Sequence, residues 1–308
     1  MRKFSKGLLT VWAVMSVSFS SAYAGGKINI MGSDTMGILG TYVAEKFQQK
    51  NPGIKITLEQ KGSSTGIAGM IDGTCDLSQS SRRIKPSELK RFRAKYKSEP
   101  VEIPIALDGL VIYVNKKNPV DKITIQELDA IFGQNPHGGF AKITAWGRLI
   151  SSKVSGKFVR AGISLYGRNA ASGTYGYFKK HVLKRGDYDR NCKEMPGTAQ
   201  VVNAVSKDIY GIGYGGIGYK TSAIKILRVA PKAGKEFVKA SPENVASGKY
   251  PISRNLYWYL AKKPAGVLTG FIRYGLSAAG QKLIASPQVG YIGLPAQQIE
   301  DILFDLDL

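Results

Sequence analysis

The chain has 308 residues and carries 44 Lys and Arg against 22 Asp and Glu, which gives a formal net charge of +22. Its length allows two domains with cores of their own, and its charge attracts anions and anionic surfaces. Nucleic-acid binding is not favoured, because the basic residues are scattered and no segment interleaves them with aromatic residues for base stacking. A zinc site is not predicted either, since two His and two separated Cys provide no ligand set.

The first residues have the pattern of an export signal. Basic residues at positions 2, 3 and 6 precede an apolar run from Leu8 to about Phe19, and Ala22-Tyr23-Ala24 provides a small-x-small cleavage site. The run is short for a membrane span, and no Cys lies at the cleavage site to carry a lipid. We therefore expect residues 1–24 to be removed and a soluble mature chain to begin near Gly25, outside the cytoplasm. No later segment is predicted to span a membrane.

The two cysteines, Cys75 and Cys192, are far apart in the sequence. An extracytoplasmic compartment permits a disulfide, but these residues are predicted to lie in different domains. A bridge between domains that move would hinder the motion. We therefore expect two buried free thiols.

The first half of the mature chain alternates predicted strands and helices. An apolar face from Ile38 to Phe47 predicts a helix that Asn51-Pro52-Gly53 ends. A short helix through Ile71 and a charged helix at Pro86–Lys97 follow. The predicted strands are Lys27–Ile30, Ile54–Glu59, a strand near Cys75–Ser80, and Val101–Leu107 and Gly109–Asn115 on either side of Asp108. This order is typical of an α/β fold, in which ligands bind outside the carboxyl ends of the strands.

The second half begins with a polar segment, Lys116–Asp121, which is typical of a crossover between lobes. Helices are predicted at Ile125–Phe132 and from Tyr175 to about Lys184. Gly211–Gly218 is interpreted as a close-packed strand and turn, because a G-x-G pattern without a later acidic residue is weak evidence for a dinucleotide site. A strand at Leu256–Leu260 and a helix at Val267–Ile284 are expected to return to the first lobe.

Three segments share one pattern, in which a predicted strand is followed by a Ser, Thr and Gly-rich loop and then by a helix. They are M-G-S-D-T-M at 31–36, K-G-S-S-T-G at 61–66 and G-R-N-A-A-S-G-T at 167–174. The free amides at a helix start and the positive end of its dipole suit a tetrahedral oxyanion. Arg168 can add a charge-assisted, two-pronged contact. Taken alone, the third segment is better explained as an ordinary helix cap after a loop.

The order and spacing of several motifs resemble the phosphate-binding proteins of bacterial ABC importers, within the two-lobed periplasmic binding protein superfamily. The resemblance covers essentially the whole mature chain, although no single motif is specific. The motifs are Gly32-Ser33-Asp34-Thr35, Gly62-Ser63-Ser64-Thr65-Gly66, Asp76 through Ser80-Ser81-Arg82, Asp108-Gly109, Arg168 through Ser172-Gly173-Thr174, Gly213-Tyr214, Tyr250-Pro251-Ile252-Ser253-Arg254, and Gly280-Gln281 before Gly290-Tyr291.

The resemblance implies an α/β fold of two lobes joined by a hinge, each lobe a mixed sheet flanked by helices. We expect residues 25–114 and 255–308 in lobe 1 and residues 115–254 in lobe 2. The family's phosphate contacts, carried over by position, are Thr35 and Met36 from the first loop, Ser63 from the second, and Arg168, Ser172, Gly173 and Thr174 from the third.

Two positions depart from the family pattern. Ser81 stands where some members have the aspartate that accepts the phosphate proton, and Ala170 stands where some have a carboxylate that orients the arginine. Asp108, near the hinge, is our candidate for the missing acceptor, with Asp34 and Asp76 as alternatives.

The resemblance further implies capture without chemistry. Inorganic phosphate would enter an open cleft, be buried by hinge closure, and pass to the permease subunits of an ABC importer in the membrane. We expect a periplasmic monomer with no cofactor and no metal. The sequence leaves open a role in transport, in phosphate sensing, or in both.

Two alternatives belong to other functional classes. Gly62-Ser63-Ser64-Thr65-Gly66 fits the G-x-S-x-G elbow of serine hydrolases, but the only possible bases are His137, in a predicted turn, and His181, beside two lysines. A surface or adhesive protein that retains this fold without transport is also compatible with the positive charge.

Overall fold

The computed structural model describes residues 25–149 and 156–308, so the predicted signal peptide at 1–24 lies outside the described residues. The strands of this part are β1 (Gly26–Gly32), β2 (Ile54–Glu59), β3 (Leu77–Ser80), β4 (Val101–Asn115), β5 (Lys122–Thr124), β6 (Ser164–Arg168), β7 (Lys193–Met195), β8 (Gly211–Gly216), β9 (Ile224–Ile226), β10 (Arg228–Ala230) and β11 (Ser253–Leu260). The helices are α1 (Gly37–Lys50), α2 (Ser63–Asp72), α3 (Pro86–Tyr96), α4 (Ile125–Phe132), α5 (Lys157–Arg160), α6 (Gly173–His181), α7 (Thr198–Lys207), α8 (Pro242–Ala246), α9 (Val267–Leu276), α10 (Ala278–Ile284) and α11 (Ala296–Asp305). The predicted alternation of strands and helices is confirmed.

One hydrogen-bonded sheet runs through the molecule in the order β2-β1-β3-β11-β4-β8-β6-β7, and β9 pairs with β4 outside this path. The outer strands are parallel, as in β1 with β2 and β3, and β6 with β7 and β8. The middle strand β4 is antiparallel to β11 on one side and to β8 on the other. The sheet is therefore mixed, with parallel halves joined through an antiparallel centre.

Strand β4 is continuous over 15 residues, so the prediction of two strands divided at Asp108 was wrong. Asp108 lies within the strand and is the register partner of Arg254 on β11. An ionised carboxylate normally ends a buried strand, because burying an unpaired charge is costly. Here the arginine on the neighbouring strand neutralises it, which a reading of β4 alone does not reveal.

Two large apolar clusters form the cores of the molecule. One extends along the chain from Ile28 to Ala106 and resumes at Leu256, and the other extends from Leu110 to Ile252 with Ile292 added. Both clusters include residues of β4, and the chain passes from one to the other between Ala106 and Leu110 and again between Ile252 and Leu256. One sheet thus contributes strands to both apolar clusters, whereas the clusters themselves are separate.

Two predicted helices end earlier than expected. α6 stops at His181, and Lys184 and Arg185 adopt positive φ angles of 49° and 71°, which a continuing helix excludes. The helix predicted at Val267–Ile284 is two helices, because Ser277 has an extended backbone and its hydroxyl caps α10 by accepting a hydrogen bond from the amide of Gly280.

Cys75 and Cys192 are free thiols that are partly, rather than fully, buried. Burial raises the pKa of both thiols to about 12, so they are protonated near neutral pH. Within the described residues, no helix has both the length and the apolar character needed to cross a bilayer. The same part of the chain contains no group of three or more His, Cys, Asp or Glu side chains arranged to hold a metal ion.

Candidate functional site

The three Ser, Thr and Gly-rich loops converge where the two cores meet. A short 3-10 turn at Asp34–Met36 leads into α1, and α2 and α6 begin at Ser63 and Gly173. The amide of Ser64 donates to the carbonyl of Ala171 at 3.1 Å, which joins the second loop to the third. Gly62 permits this contact, since its φ is 117° and an added Cβ would lie 2.6 Å from the Ala171 oxygen. The three loops therefore lie together at one place in the fold.

Five buried hydroxyl residues form a compact group at this junction, here called the hydroxyl cluster: Ser33, Thr35, Ser63, Ser81 and Thr174. Thr35 Oγ1 lies 2.6 Å from Thr174 Oγ1, and Ser81 Oγ lies 3.0 Å from Ser33 Oγ, 3.4 Å from Ser63 Oγ and 3.5 Å from Thr174 Oγ1. Each member is at most 1% exposed. The cluster thus concentrates rotatable O–H donors in a space shielded from water.

Gly173 lies against this cluster without a side chain. A Cβ added there would be 2.3 Å from Ser63 Oγ and 2.7 Å from Ser81 Oγ. No other residue fits such a close approach of backbone to hydroxyl groups. A side chain at position 173 would therefore displace the hydroxyl groups of Ser63 and Ser81.

Backbone amides at the loop ends supply further donors. Among the described residues, no hydrogen-bond acceptor is paired with the amides of Thr35, Ser63, Gly173 or Thr174. These amides lie at helix starts, where N–H groups lack partners within the helix. The Met36 amide differs, because it donates to the Ser33 carbonyl at 3.1 Å.

Ser172 acts as the N-cap of α6. Its hydroxyl accepts a hydrogen bond from the amide of Tyr175 at 3.3 Å. A serine at this position satisfies one of the free amides of the first turn and fixes the direction of the helix. Ser172 therefore orients the third loop, and the hydroxyl of Thr174, two residues later, enters the cluster.

A fully buried ion pair borders the hydroxyl cluster. Arg254 donates to Asp108 Oδ2 from Nε at 2.9 Å and from Nη2 at 2.7 Å. Its Nη2 also reaches Thr174 Oγ1 at 3.0 Å, and its Nη1 donates to the Ser81 carbonyl at 2.9 Å. One guanidinium group thus connects the carboxylate to two members of the cluster.

Asp108 has one oxygen that is less heavily engaged. Oδ1 accepts from the amide of Ile217 at 3.0 Å, whereas Oδ2 accepts both bonds from Arg254. Burial raises the pKa of Asp108, and the positive charge and hydrogen bonds of Arg254 limit that rise. A Cβ placed on Gly216 would lie 3.2 Å from Oδ1 and 2.9 Å from Thr35 Cγ2, so Oδ1 and the first loop face the same small space.

Arg168 is 2% exposed and is held by other partners. Its Nη1 donates to Thr198 Oγ1 at 2.7 Å and lies 3.1 Å from Asp34 Oδ1, and its Nη2 donates to the Pro196 carbonyl at 3.1 Å. Its Nε is buried and has no hydrogen-bond partner in the described part of the chain. Both terminal nitrogens of the guanidinium therefore have partners, and Nε is the nitrogen that has none among the described residues.

The two alternative acceptors have other partners. Asp34 Oδ1 accepts from the Thr198 amide at 2.7 Å, in addition to its ion pair with Arg168. Asp34, on the first loop, thus places a carboxylate beside Arg168. Ala170, two residues after this arginine, has no carboxylate. Asp76 Oδ2 accepts from the amide of Asn29 at 2.7 Å, at the start of β3, whereas Ser81 follows the end of that strand.

The residues that sequence reasoning missed are Ser33, Ser81 and Arg254. Ser81 was considered only as a replacement for a carboxylate, and Arg254 only as part of a family motif. Its position opposite Asp108 depends on the register of β11 with β4, which no local pattern indicates. Arg254 lies in the polar start of β11, between Ser253 and Asn255, so the sequence of the strand itself does not indicate that this charge is buried.

The arrangement needed for a serine hydrolase is absent from the described residues. Ser64, the serine of the G-x-S-x-G pattern, accepts a hydrogen bond from Arg82 Nη2 at 3.0 Å. His181 instead stacks on Tyr177 with ring centroids 4.1 Å apart, and an added Cβ on Gly186 would lie 2.7 Å from His137 Cδ2. Neither histidine forms a hydrogen bond with Ser64 within residues 25–149 and 156–308.

Comparisons with known proteins agree with this geometry. Residues 18–279 match the family model described as PBP superfamily domain. The phosphate-binding protein PstS of Pseudomonas aeruginosa is 39% identical over 92% of this chain and 88% of its own length. Protein SphX of Synechococcus elongatus is 32% identical over 94% of this chain and 85% of its own length. A structure from Clostridium perfringens, assigned as the substrate-binding protein of a phosphate ABC transporter and containing bound phosphate, superposes with a TM-score of 0.74. The two sequences are 26% identical, and the alignment covers 88% of this chain and 100% of the Clostridium perfringens chain.

Proposed function

Since the chain belongs to the PBP superfamily and to the family of phosphate-binding proteins PstS, we propose that it captures inorganic phosphate and delivers it to an ABC importer. The observation that carries the proposal is the hydroxyl cluster, bordered by three helix starts and by Arg254. A tetrahedral anion with several acceptor oxygens matches many neutral donors and a small number of cations. Such a site holds phosphate without several full positive charges that would slow its release.

The proposed contacts come from all three loops. The hydroxyl groups of Thr35, Ser63 and Thr174 donate hydrogen bonds to the phosphate, and so does the backbone amide of Gly173. Ser33, Ser81 and Arg254 join the set because each is within hydrogen-bond distance of another cluster member. Met36 and Ser172 support the first and third loops, and their own groups are engaged in the turns.

Arg168 remains in the proposed site through its Nε atom. Asp34, Thr198 and the Pro196 carbonyl fix the rest of the guanidinium, so Nε is held in one direction. A buried N–H without a partner is costly, and an anion oxygen would satisfy it. We assign Asp34 the task of orienting this arginine, in place of the carboxylate that some relatives have at the position of Ala170.

Asp108 is the proposed acceptor of the phosphate proton. Its Oδ1 has only the Ile217 amide as a partner and faces the same space as Thr35. Arg254 favours the ionised form of this carboxyl group, in which it accepts a hydrogen bond and cannot donate one. Phosphate retains a proton near neutral pH whereas sulfate does not, so an ionised Asp108 selects phosphate.

The proposed lobes are residues 25–114 with 255–308, and residues 115–254. The division of apolar packing supports a crossing a few residues earlier, between Ala106 and Leu110 in β4. Thr35 with Thr174, and Asp34 with Arg168, then join opposite lobes, and each pair would separate when the cleft opens. Closure of the lobes would bury the anion and present a surface that the permease recognises.

The remaining parts of the proposal concern the setting of the protein. Cleavage of residues 1–24 would place a monomer in the periplasm, where it would dock on the permease subunits. No catalytic step is proposed, because the family consists of substrate-binding proteins.

Calorimetry of refolded, ligand-stripped mature protein tests the proposal directly. Phosphate should bind with a stoichiometry of one, and sulfate should give no heat at the same concentrations. Small-angle scattering in parallel should show a more compact molecule with saturating phosphate. Absence of phosphate binding, or equal affinity for sulfate, would overturn the assignment.

A further inference from the structure

A second feature rich in positive charge lies outside the hydroxyl cluster. It is a cleft of about 600 Å³, here called the basic cleft, whose lining includes no member of the hydroxyl cluster. Three parts of the chain line it: residues 82–86 up to the first residue of α3, residues of α6 together with Arg185, and residues 253–255 and 257 of β11. Its cationic lining residues are Arg82, Arg83, Lys85, Lys180, Arg185 and Arg254.

All three parts of the lining contribute cations, and the lining contains no carboxylate. Arg83 is paired with Glu102 at 3.3 Å outside the cleft. Lys85, Lys180 and Arg185 are exposed, and within residues 25–149 and 156–308 no carboxylate oxygen lies within 4.0 Å of their charged groups. Three uncompensated positive charges therefore face a shared concave space, where the field of each adds to the others.

Arg82 provides an observation of a different kind. It is 6% exposed, and its terminal nitrogens are occupied by Glu88 at 2.6 and 2.8 Å and by Ser64 at 3.0 Å. Its Nε is buried and has no partner in the described part of the chain. A Cβ placed on Gly176, which lines the cleft, would be 3.8 Å from this Nε, so the unpaired donor lies beside the lining of the cleft.

The volume and charge together define the class of ligand. Small-molecule sites occupy about 300–1,000 Å³, so the cleft fits a ligand larger than a single phosphate. Three separated cations with an additional buried donor suit several negative charges spaced along a short chain. Nucleic acid would require an extended charged groove, whereas this cleft has a volume of only about 600 Å³.

We propose that the basic cleft is a second anion site, which binds a short phosphoanhydride chain such as tripolyphosphate. The site is separate from the orthophosphate site, because Arg254 stands between them. Arg254 lines the cleft and bonds to Asp108 and Thr174 on its inner side. The chemistry recognised is the phosphate chain, which occurs both in inorganic oligophosphates and in nucleoside triphosphates.

The test titrates tripolyphosphate into mature protein by calorimetry in the presence of saturating orthophosphate. One equivalent should bind at physiological ionic strength. Replacing three cleft cations together, Lys85→Gln with Lys180→Gln and Arg185→Gln, should weaken this binding by about tenfold or more, while orthophosphate affinity changes by less than about twofold. The matched control is Lys55→Gln with Lys207→Gln and Lys235→Gln, which removes the same charge from exposed residues that do not line the cleft.

Other outcomes would overturn the proposal. If both triple variants weaken tripolyphosphate equally, the net charge of the protein attracts it and the cleft does not. If tripolyphosphate binds only when orthophosphate is absent, it occupies the inner site. A titration with ATP distinguishes the two sources of the phosphate chain. ATP that binds as tightly as tripolyphosphate supports recognition of the phosphate chain. Binding of ATP without binding of tripolyphosphate indicates recognition of the base and contradicts the proposal. Repeating the titration with Gly173→Ala separates the two proposals, because loss of orthophosphate binding should leave the outer site intact.

Discussion

Replacing Arg254 by methionine is the most informative single change, because it removes a cation from the centre of the molecule and leaves its partner in place. The side chains of Arg254 and Asp108 are 2% and 0% exposed. Removing one member of a buried ion pair typically costs about 3–5 kcal/mol, because the other charge remains without compensation. Arg254→Met should therefore lower the free energy of unfolding by about 3–5 kcal/mol at pH 7.

The loss should depend on pH in a direction that the structure defines. Burial already raises the pKa of Asp108, and removal of Arg254 eliminates the group that limits this rise. A carboxyl with a higher pKa in the folded than in the unfolded state, about 3.9 in the latter, destabilises the fold only when ionised. The penalty is thus complete above the folded pKa and disappears as the pH falls towards the unfolded value.

Urea unfolding of the variant and wild type at pH 7 and at lower pH measures both effects. Arg93→Met is the matched control, because Arg93 pairs with Glu99 at 2.6 Å but their side chains are 56% and 61% exposed. The control should cost about 1 kcal/mol or less at either pH. Adding Asp108→Asn to Arg254→Met should recover part of the loss, as the stranded charge is removed. If Arg254→Met lowers the free energy of unfolding by no more than the control does, and equally at both pH values, the assignment of a buried, coupled ion pair is refuted.

Three further changes test the orthophosphate site by calorimetry. Gly173→Ala should weaken phosphate binding by about tenfold or more, because its Cβ would lie 2.3 Å from Ser63 Oγ. Gly176→Ala is its control, since the nearest atom would be 3.5 Å away, and similar losses in both variants would contradict the close-approach argument. Arg168→Lys should weaken phosphate by about 1–3 kcal/mol, as the Nε donor and the planar fork are lost. Unchanged affinity would remove Arg168 from the site. Asp108→Asn should weaken phosphate and admit sulfate more readily, because an amide can donate as well as accept. A folded variant with the wild-type ratio of phosphate to sulfate affinity would place the discriminating acceptor elsewhere.

Local patterns predicted most of the fold. Helix α4 and strand β2 agree with their predicted bounds, and the three loops lie at helix starts as their Ser, Thr and Gly content indicated. These features depend on near neighbours in the chain: apolar periodicity, capping hydroxyls and glycine conformations. Sequence alone was therefore sufficient where the determining contacts are local.

The parts that sequence did not predict depend on distant residues. Arg254 reaches Asp108 only through the register of two strands 146 positions apart. Asp34 of the first loop pairs with Arg168 of the third loop, so the carboxylate beside this arginine comes from a distant part of the sequence. Such pairings follow from the way the sheet assembles, and no propensity of the individual residues encodes them.

The path of the chain through β4 and β11 has a consequence for how the molecule is built. Gly109 and Ser253 are register partners on these neighbouring antiparallel strands, so the 143 residues between them leave and return at adjacent points. The second core is thus an insertion with abutting ends. A tight turn joining Gly109 to Ser253 would convert β4 and β11 into an ordinary hairpin and leave the remaining strands of the first core in their present order. The first core is therefore built from two chain segments, and the second core is a single continuous segment inserted between the two strands of a hairpin.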